Sequence, residues 1–232
     1  GSWEMVLGPF GYFLTLFAVW AAINAFNMVD GIDGLLGALS SVTFGALATV
    51  FWMGGNDEMA LWCLCLMVAC LPYILLNLGI PWGRKFKVFM GDAGSTLIGF
   101  TVIWLLIVAT QGDDAVMQPV TALWLIAVPL MDMLRVMIAR IRRGDSPFKP
   151  DREHLHHVLL RSQLTSRSTL LIMTSLASLL SSIGLFLNWY KVSEGIQLLL
   201  YAIIYFGMVN AMPFICKDTL YFSKNTRLND QS

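Results

Sequence analysis

Long apolar runs separated by short polar segments dominate the chain. Seven of them, at 9–26, 35–53, 59–79, 95–110, 119–139, 168–187 and 196–215, approach or reach the roughly 20 residues a helix needs to cross a bilayer core of about 30 Å. Backbone groups in lipid have no water to bond, so runs of this length predict helices rather than isolated strands. The pattern predicts an all-α, polytopic integral membrane protein of about seven spans. Residues 1–215 form a single transmembrane unit, followed by a polar tail over 216–232.

Composition agrees. Of the 232 residues, 57% are hydrophobic and 13% charged, against about 25% charged in soluble domains. The formal net charge is zero and gives no sign of a nucleic-acid partner. The four cysteines, Cys63, Cys65, Cys70 and Cys216, sit in or at the ends of apolar runs, where free Cys packs as a small hydrophobe. They have no neighbouring ligand spacing for a metal.

The position of the charges is more informative. Alternate loops fall into two sets. One holds 27–34, 80–94, 140–167 and the tail; the other holds 54–58, 111–118 and 188–195. Of the 15 Lys and Arg residues, only Lys191 lies in the second set and Arg135 lies inside the fifth run. The positive-inside rule therefore places the first set in the cytoplasm and the N-terminus outside. The chain opens Gly1-Ser2-Trp3 without an initiator Met or a basic region and cleavage site. With an external start, this leads us to expect further spans upstream.

The predicted cytoplasmic loops carry three polar constellations. The first is Asn24-Ala-Phe-Asn27-Met-Val-Asp30-Gly31-Ile-Asp33-Gly34. Asn24 and Asn27 share a helix face near the end of the first run. Two Asp-Gly pairs then make a turn. A tight hairpin alone explains the aspartates but not asparagines inside a span, where polar groups are expensive. The second is Lys87-Val-Phe-Met-Gly91-Asp92-Ala-Gly94-Ser95. Gly91 lets backbone approach a ligand, the following helix N-terminus suits an anion, and Asp92 can hold Mg²⁺ against phosphate oxygens. The alternative is a helix cap at Asp92 or Ser95.

The third runs from Arg140, Arg142 and Arg143 through Ser146-Pro147-Phe148 to Pro150-Asp151-Arg152-Glu153-His154-Leu155-His156-His157. Its arginines suit phosphate, besides satisfying topology. Asp151 is a plausible N-cap. All three histidines fall within four positions, with His154 and His157 expected on one helix face and His156 pointing elsewhere. Acid–base or phosphate-contacting work fits them better than zinc, for which further ligands are missing. Asp132 and Arg135, three apart, read as an intrahelical ion pair that could also meet a substrate head group.

The first two constellations resemble the paired signatures of the polyprenyl-phosphate N-acetylhexosamine-1-phosphate transferases, and the His-x-His-His loop resembles that of their simple-sugar branch. The likeness spans residues 3–165. It implies transfer of N-acetylglucosamine-1-phosphate from UDP-N-acetylglucosamine to undecaprenyl phosphate, with UMP released. The reaction is Mg²⁺-dependent (Mn²⁺ substituting) and occurs at the cytoplasmic face of a bacterial inner membrane. It is a first membrane step of O-antigen or enterobacterial common antigen synthesis. The same likeness makes Asp92 the metal ligand and puts Asn24, Asn27, Gly91, Arg140, Arg142 and Arg143 on substrate. Asp30, Asp33, His154, His156 and His157 become catalytic, His154 foremost. The bilayer is the expected partner, nucleic acid is not, and oligomeric state stays open.

The family also carries an adjacent Asp-Asp pair on an earlier inner loop and about ten or eleven spans. Here the only such pair, Asp113-Asp114, maps outside, so roughly the N-terminal third of the family's length is expected to be absent. An inactive fragment of the same fold and a membrane transporter are the alternatives. A transporter would gather its ionisable groups near mid-membrane rather than at one surface.

Overall fold

A computed structural model describes residues 8–146 and 153–229. Among the described residues all regular secondary structure is helical, with no strand. The helices are α1 (Pro9–Met28), α2 (Leu35–Met53), α3 (Asp57–Asn77), α4 (Gly91–Thr110), α5 (Thr121–Leu125), α6 (Ala127–Arg142), α7 (Leu155–Arg161), α8 (Ser166–Trp189) and α9 (Glu194–Asn229). One 3₁₀ turn, Arg84–Phe86, precedes α4. Among the described residues, six helices are long and apolar enough to cross a membrane: α1, α2, α3, α4, α8 and the Glu194–Met212 part of α9. The chain is a multi-pass membrane protein.

The fifth expected span differs. It is divided into α5 and α6 at Ile126, whose φ of −114° and ψ of 24° leave the helix. Pro129 is the physical reason. It has no N–H for the carbonyl four residues earlier, and its ring crowds that carbonyl. That carbonyl belongs to Leu125. It accepts instead from Thr43 Oγ1 of α2 at 3.1 Å and Ser181 Oγ of α8 at 3.4 Å. Neighbouring hydroxyls thus satisfy the freed acceptor in an apolar setting. Through the stretch expected as a polar tail, α9 continues as helix to Asn229.

The most buried of the spanning helices, α2, packs against α3 and α8, while α1 packs against α4 and α6. Small residues set these distances, since lipid provides no hydrophobic force between spans. A Cβ on Gly99 would lie 2.7 Å from the Ile23 Cα, so α4 rides directly on the α1 backbone. A Cβ on Gly37 would lie 2.6 Å from an Ile74 side-chain carbon on α3.

Contacts at the two ends separate the loops into the two sets read from charge. At one end Gly54 abuts Val116, and Asn188 Oδ1 accepts the Gln118 N–H at 3.0 Å. The adjacent pair Asp113 and Asp114 lies here, lining with Asp57 and Glu58 an open cavity of about 790 Å³. At the other end the three polar constellations meet.

Candidate active site

The first constellation closes α1 and turns into α2. Asn24 Nδ2 donates back to the Trp20 carbonyl at 2.8 Å, within its own helix. Asn27, one turn on, reaches across to α4, where its Nδ2 donates to Ser95 Oγ at 2.8 Å. Ser95 Oγ in turn donates to the Asp92 carbonyl at 3.2 Å. The two asparagines that share a face therefore do different work. Asn24 satisfies its own helix and Asn27 joins the first constellation to the second.

The two aspartates of the turn also part. Asp33 forms an ion pair with Lys87, the residue that opens the second constellation. Asp30 faces Asp92. Burial, and after it the Asp92 carboxylate, push the Asp30 carboxyl above the ordinary carboxylate range. Asp92 is exposed in the first turn of α4, and neither it nor Ser95 caps the helix, whose N-cap is Met90. Gly91 takes a φ of +65°, a conformation that suits glycine and lets the chain swing into α4.

Between these loops stands Asn77, at the end of α3 and buried. Its Oδ1 accepts the Gly34 N–H at 2.5 Å and its Nδ2 donates to the Val88 carbonyl at 2.7 Å. One amide thus fixes the backbone of both constellations.

The third constellation arrives through α7. Residues 147–152, including the expected Asp151 cap and Lys149 and Arg152, lie outside the described residues. His154 is the N-cap of α7. The expectation that His154 and His157 share a face apart from His156 is corrected, because His154 stands before the helix in an extended conformation. His156 is the central ring. It lies parallel to His154 with centroids 5.9 Å apart and meets His157 at 4.2 Å. It also lies against Gly31 of the first turn, where a Cβ would fall 2.0 Å from its Nε2. His156 is 1% exposed and, among the described residues, neither ring nitrogen has a hydrogen-bond partner. Burial lowers its pKa to about 4, so the ring is neutral near pH 7.

Asp132 of α6 anchors this segment. Its Oδ2 lies 2.9 Å from His154 Nδ1, and its Oδ1 accepts the Leu155 N–H at 2.9 Å and Arg135 Nη2 at 2.8 Å. The expected Asp132–Arg135 pair is present. Arg135 Nη2 donates as well to the Glu153 carbonyl. The arginines expected on phosphate divide. Arg143 makes a two-bond pair with Glu153, at 2.5 and 3.0 Å, and lies 3.8 Å from Asp145. Arg140 is buried, and Arg142 is exposed at the end of α6.

Sequence reasoning assigned no role to Asn77 or Lys87 and left Asp132 open. A polar residue at the inner end of an apolar run was the available signal for Asn77 and Asp132. Their partners lie far along the chain.

Among the described residues no group of three His, Cys, Asp or Glu side chains is arranged to hold a metal ion. Asp30 and Asp92, exposed and within electrostatic reach of one another, still fit Mg²⁺, which commonly takes one or two carboxylates and completes its shell with water and substrate phosphates.

Residues 2–110 match the profile of glycosyl transferase family 4. The chain is 59% identical over 207 residues to the undecaprenyl-phosphate alpha-N-acetylglucosaminyl 1-phosphate transferase of Escherichia coli K12. That match covers 89% of this chain and 56% of the relative. The protein of the same name from Yersinia pestis is 56% identical over 184 residues, 79% of this chain and 50% of the relative. The Haemophilus influenzae protein of that name is 50% identical over 227 residues, 98% of this chain and 64% of the relative. The chain thus spans between half and two thirds of the length of these relatives. On these matches, residues 2–110 carry the profile of glycosyl transferase family 4, and the rest of the chain aligns with the same relatives.

Proposed function

We propose that this chain carries the sugar-nucleotide half of a phosphoglycosyl transferase. The reaction moves N-acetylglucosamine-1-phosphate from UDP-N-acetylglucosamine to undecaprenyl phosphate, giving undecaprenyl-diphospho-N-acetylglucosamine and UMP, at the cytoplasmic face of a bacterial inner membrane. The observation that carries this reading is convergence. Three polar constellations from loops far apart in sequence are joined at one end of the helices by the Asn27–Ser95, Asp33–Lys87 and Gly31–His156 contacts. The names of the relatives support undecaprenyl phosphate as acceptor and N-acetylglucosamine-1-phosphate as the group transferred.

Phosphoryl transfer needs little covalent help from protein and depends on positioning and charge. Asp30 and Asp92 supply paired negative charge for a divalent cation. Mg²⁺, or Mn²⁺ in its place, neutralises phosphate charge when bound. Lys87 places a cation beside the same turn. Asn77 holds both loops at fixed separation. His154 presents a ring nitrogen from a segment tied down by Asp132.

The test is transfer of labelled N-acetylglucosamine-1-phosphate to undecaprenyl phosphate in membranes, with and without Mg²⁺. One arm holds this chain alone. A second adds the N-terminal part of the E. coli relative that the chain does not cover. Metal-dependent product in the first arm means the described site suffices. Product only in the second means that the uncovered part of the relatives completes the site, in keeping with Asp113 and Asp114 lying at the opposite end. No product in either arm, from well-inserted protein, overturns the reading.

A further inference from the structure

We infer that Asp132 is a positioning residue that fixes the tautomer of His154 and leaves Nε2 as the nitrogen that faces substrate. The role in transfer rests on the function proposed above; the tautomer assignment stands on geometry. Asp132 is wholly buried, at 0% exposure, and a carboxylate has only acceptors. The 2.9 Å contact between its Oδ2 and His154 Nδ1 is favourable only if Nδ1 carries the proton. In the neutral ring the lone pair then resides on Nε2. Among the described residues that nitrogen has no hydrogen-bond partner, and His154 keeps 6% of its surface exposed. Protons can arrive at and leave Nε2 without disturbing the bond to Asp132.

The other carboxylate oxygen is already committed. Oδ1 accepts two obligatory donors, the Leu155 N–H at 2.9 Å and Arg135 Nη2 at 2.8 Å. This asymmetry makes a sharp prediction for Asp132→Asn. The single amide oxygen must stay toward Leu155 and Arg135, because an amide –NH₂ there would meet two donors. The –NH₂ is then turned to His154 Nδ1, which must accept. The proton moves to Nε2 and the ring presents a donor where it presented an acceptor. A carboxylate that served only as glue for α7 would not need the ring in one tautomer.

The experiment uses the whole chain in lipid nanodiscs with ¹⁵N-labelled histidine. It has only three imidazoles, and His154→Gln assigns the relevant signals. In the unsubstituted chain above the titration range we expect a protonated-type shift at His154 Nδ1 and a bare, pyridine-type shift at Nε2. Asp132→Asn is expected to exchange them. In the active assembly the same substitution should lower kcat by roughly 10²–10⁴-fold, the range of a lost acid–base group, with a much smaller change in KM. A bare Nδ1 in the unsubstituted chain overturns the inference, and that measurement decides the matter even if Asp132→Asn fails to fold. An unchanged tautomer in folded Asp132→Asn also overturns it. The expected tautomers with no transferase activity in any arm would overturn the proposed function and leave the tautomer assignment in place.

Discussion

The contact between Gly31 and His156 should behave as a mechanical joint between two loops of the site, and Gly31→Ala tests it. The Gly31 backbone is one that any residue can adopt, so the cost comes from the ring opposite. The added Cβ would lie 2.0 Å from Nε2, 2.6 Å from Cε1 and 2.8 Å from Cδ2. Restoring ordinary contact at 3.4 Å requires a movement of 3.4 − 2.0 = 1.4 Å. His156 has little room to retreat, since it is 1% exposed and flanked by His154 and His157. Overpacking of this kind costs about 1–3 kcal/mol, which leaves most of the protein folded. Misplacing a reacting group by about 1 Å costs on the order of 10²-fold in rate. We expect Gly31→Ala to insert normally, to unfold a few degrees early in detergent, and to lose transfer by about that factor. A double-mutant cycle isolates the cause. With His156→Ala in the background there is no ring to displace, and Gly31→Ala should then cost under about 0.5 kcal/mol in stability. Equal penalties in the two backgrounds would refute the joint.

Other predictions follow from neighbouring contacts. Asn77→Ala leaves the Gly34 N–H and the Val88 carbonyl without their partner; thermal unfolding should show a loss of about 1–3 kcal/mol, and an unchanged midpoint would mean water replaces the amide. Asp92→Asn should abolish Mg²⁺-dependent transfer without lowering the amount of inserted protein; retained activity with the same metal requirement would remove Asp92 from the metal site. Burial pushes His156 down to about 4 in the folded chain from the 6.5 of a free imidazole, so below 6.5 the unfolded state takes the proton first. Its contribution leaves stability intact above pH 6.5 and erodes it as pH falls toward 4, by about 3 kcal/mol at about 1.4 kcal/mol per unit. The difference in unfolding between the unsubstituted chain and His156→Gln across that window measures it, and a flat difference would contradict a buried neutral ring.

How far the sequence could be read depended on the distance over which each cause acts. Apolar runs are local, so the spanning helices were legible along with their grouping of loops. The break at Ile126 was not, although Pro129 is in plain view. A proline can be carried inside a span when its orphaned carbonyl finds other donors, and here they come from Thr43 and Ser181 on different helices. The same holds for the site. The Asn, Asp and His constellations stood out because polar groups are rare beside apolar runs. Their wiring did not, because Asp132 meets His154 twenty-two residues away and Asn77 meets Gly34 forty-three away. The histidine segment was misread for a local reason: a helix periodicity was applied to His154, which lies just ahead of the helix.

Asp-Gly-Ile-Asp-Gly reads as a repeat of two equivalent carboxylates, and its partners in space break that equivalence. Asp33 is neutralised by Lys87, whose side chain is 17% exposed, so Asp33→Asn leaves a largely enclosed ammonium without its counter-charge and should destabilise the turn. Asp30 has the opposite environment. Burial and the Asp92 charge both disfavour its ionised form. Without a divalent cation, Asp30→Asn removes a repulsion and should raise stability slightly, by less than about 1 kcal/mol because Asp30 is only partly enclosed and Asp92 is exposed. With Mg²⁺ the ranking should reverse, since a cation stabilises the state that binds it and Asp30→Asn loses a ligand. The measurement is thermal unfolding of both variants in chelator and in saturating Mg²⁺. Loss of stability in Asp30→Asn under chelator, or a Mg²⁺ response equal to that of the unsubstituted chain, would show that Asp30 and Asp92 do not share a cation. Stability gained where activity is lost is the mark of a carboxylate kept for binding rather than for folding.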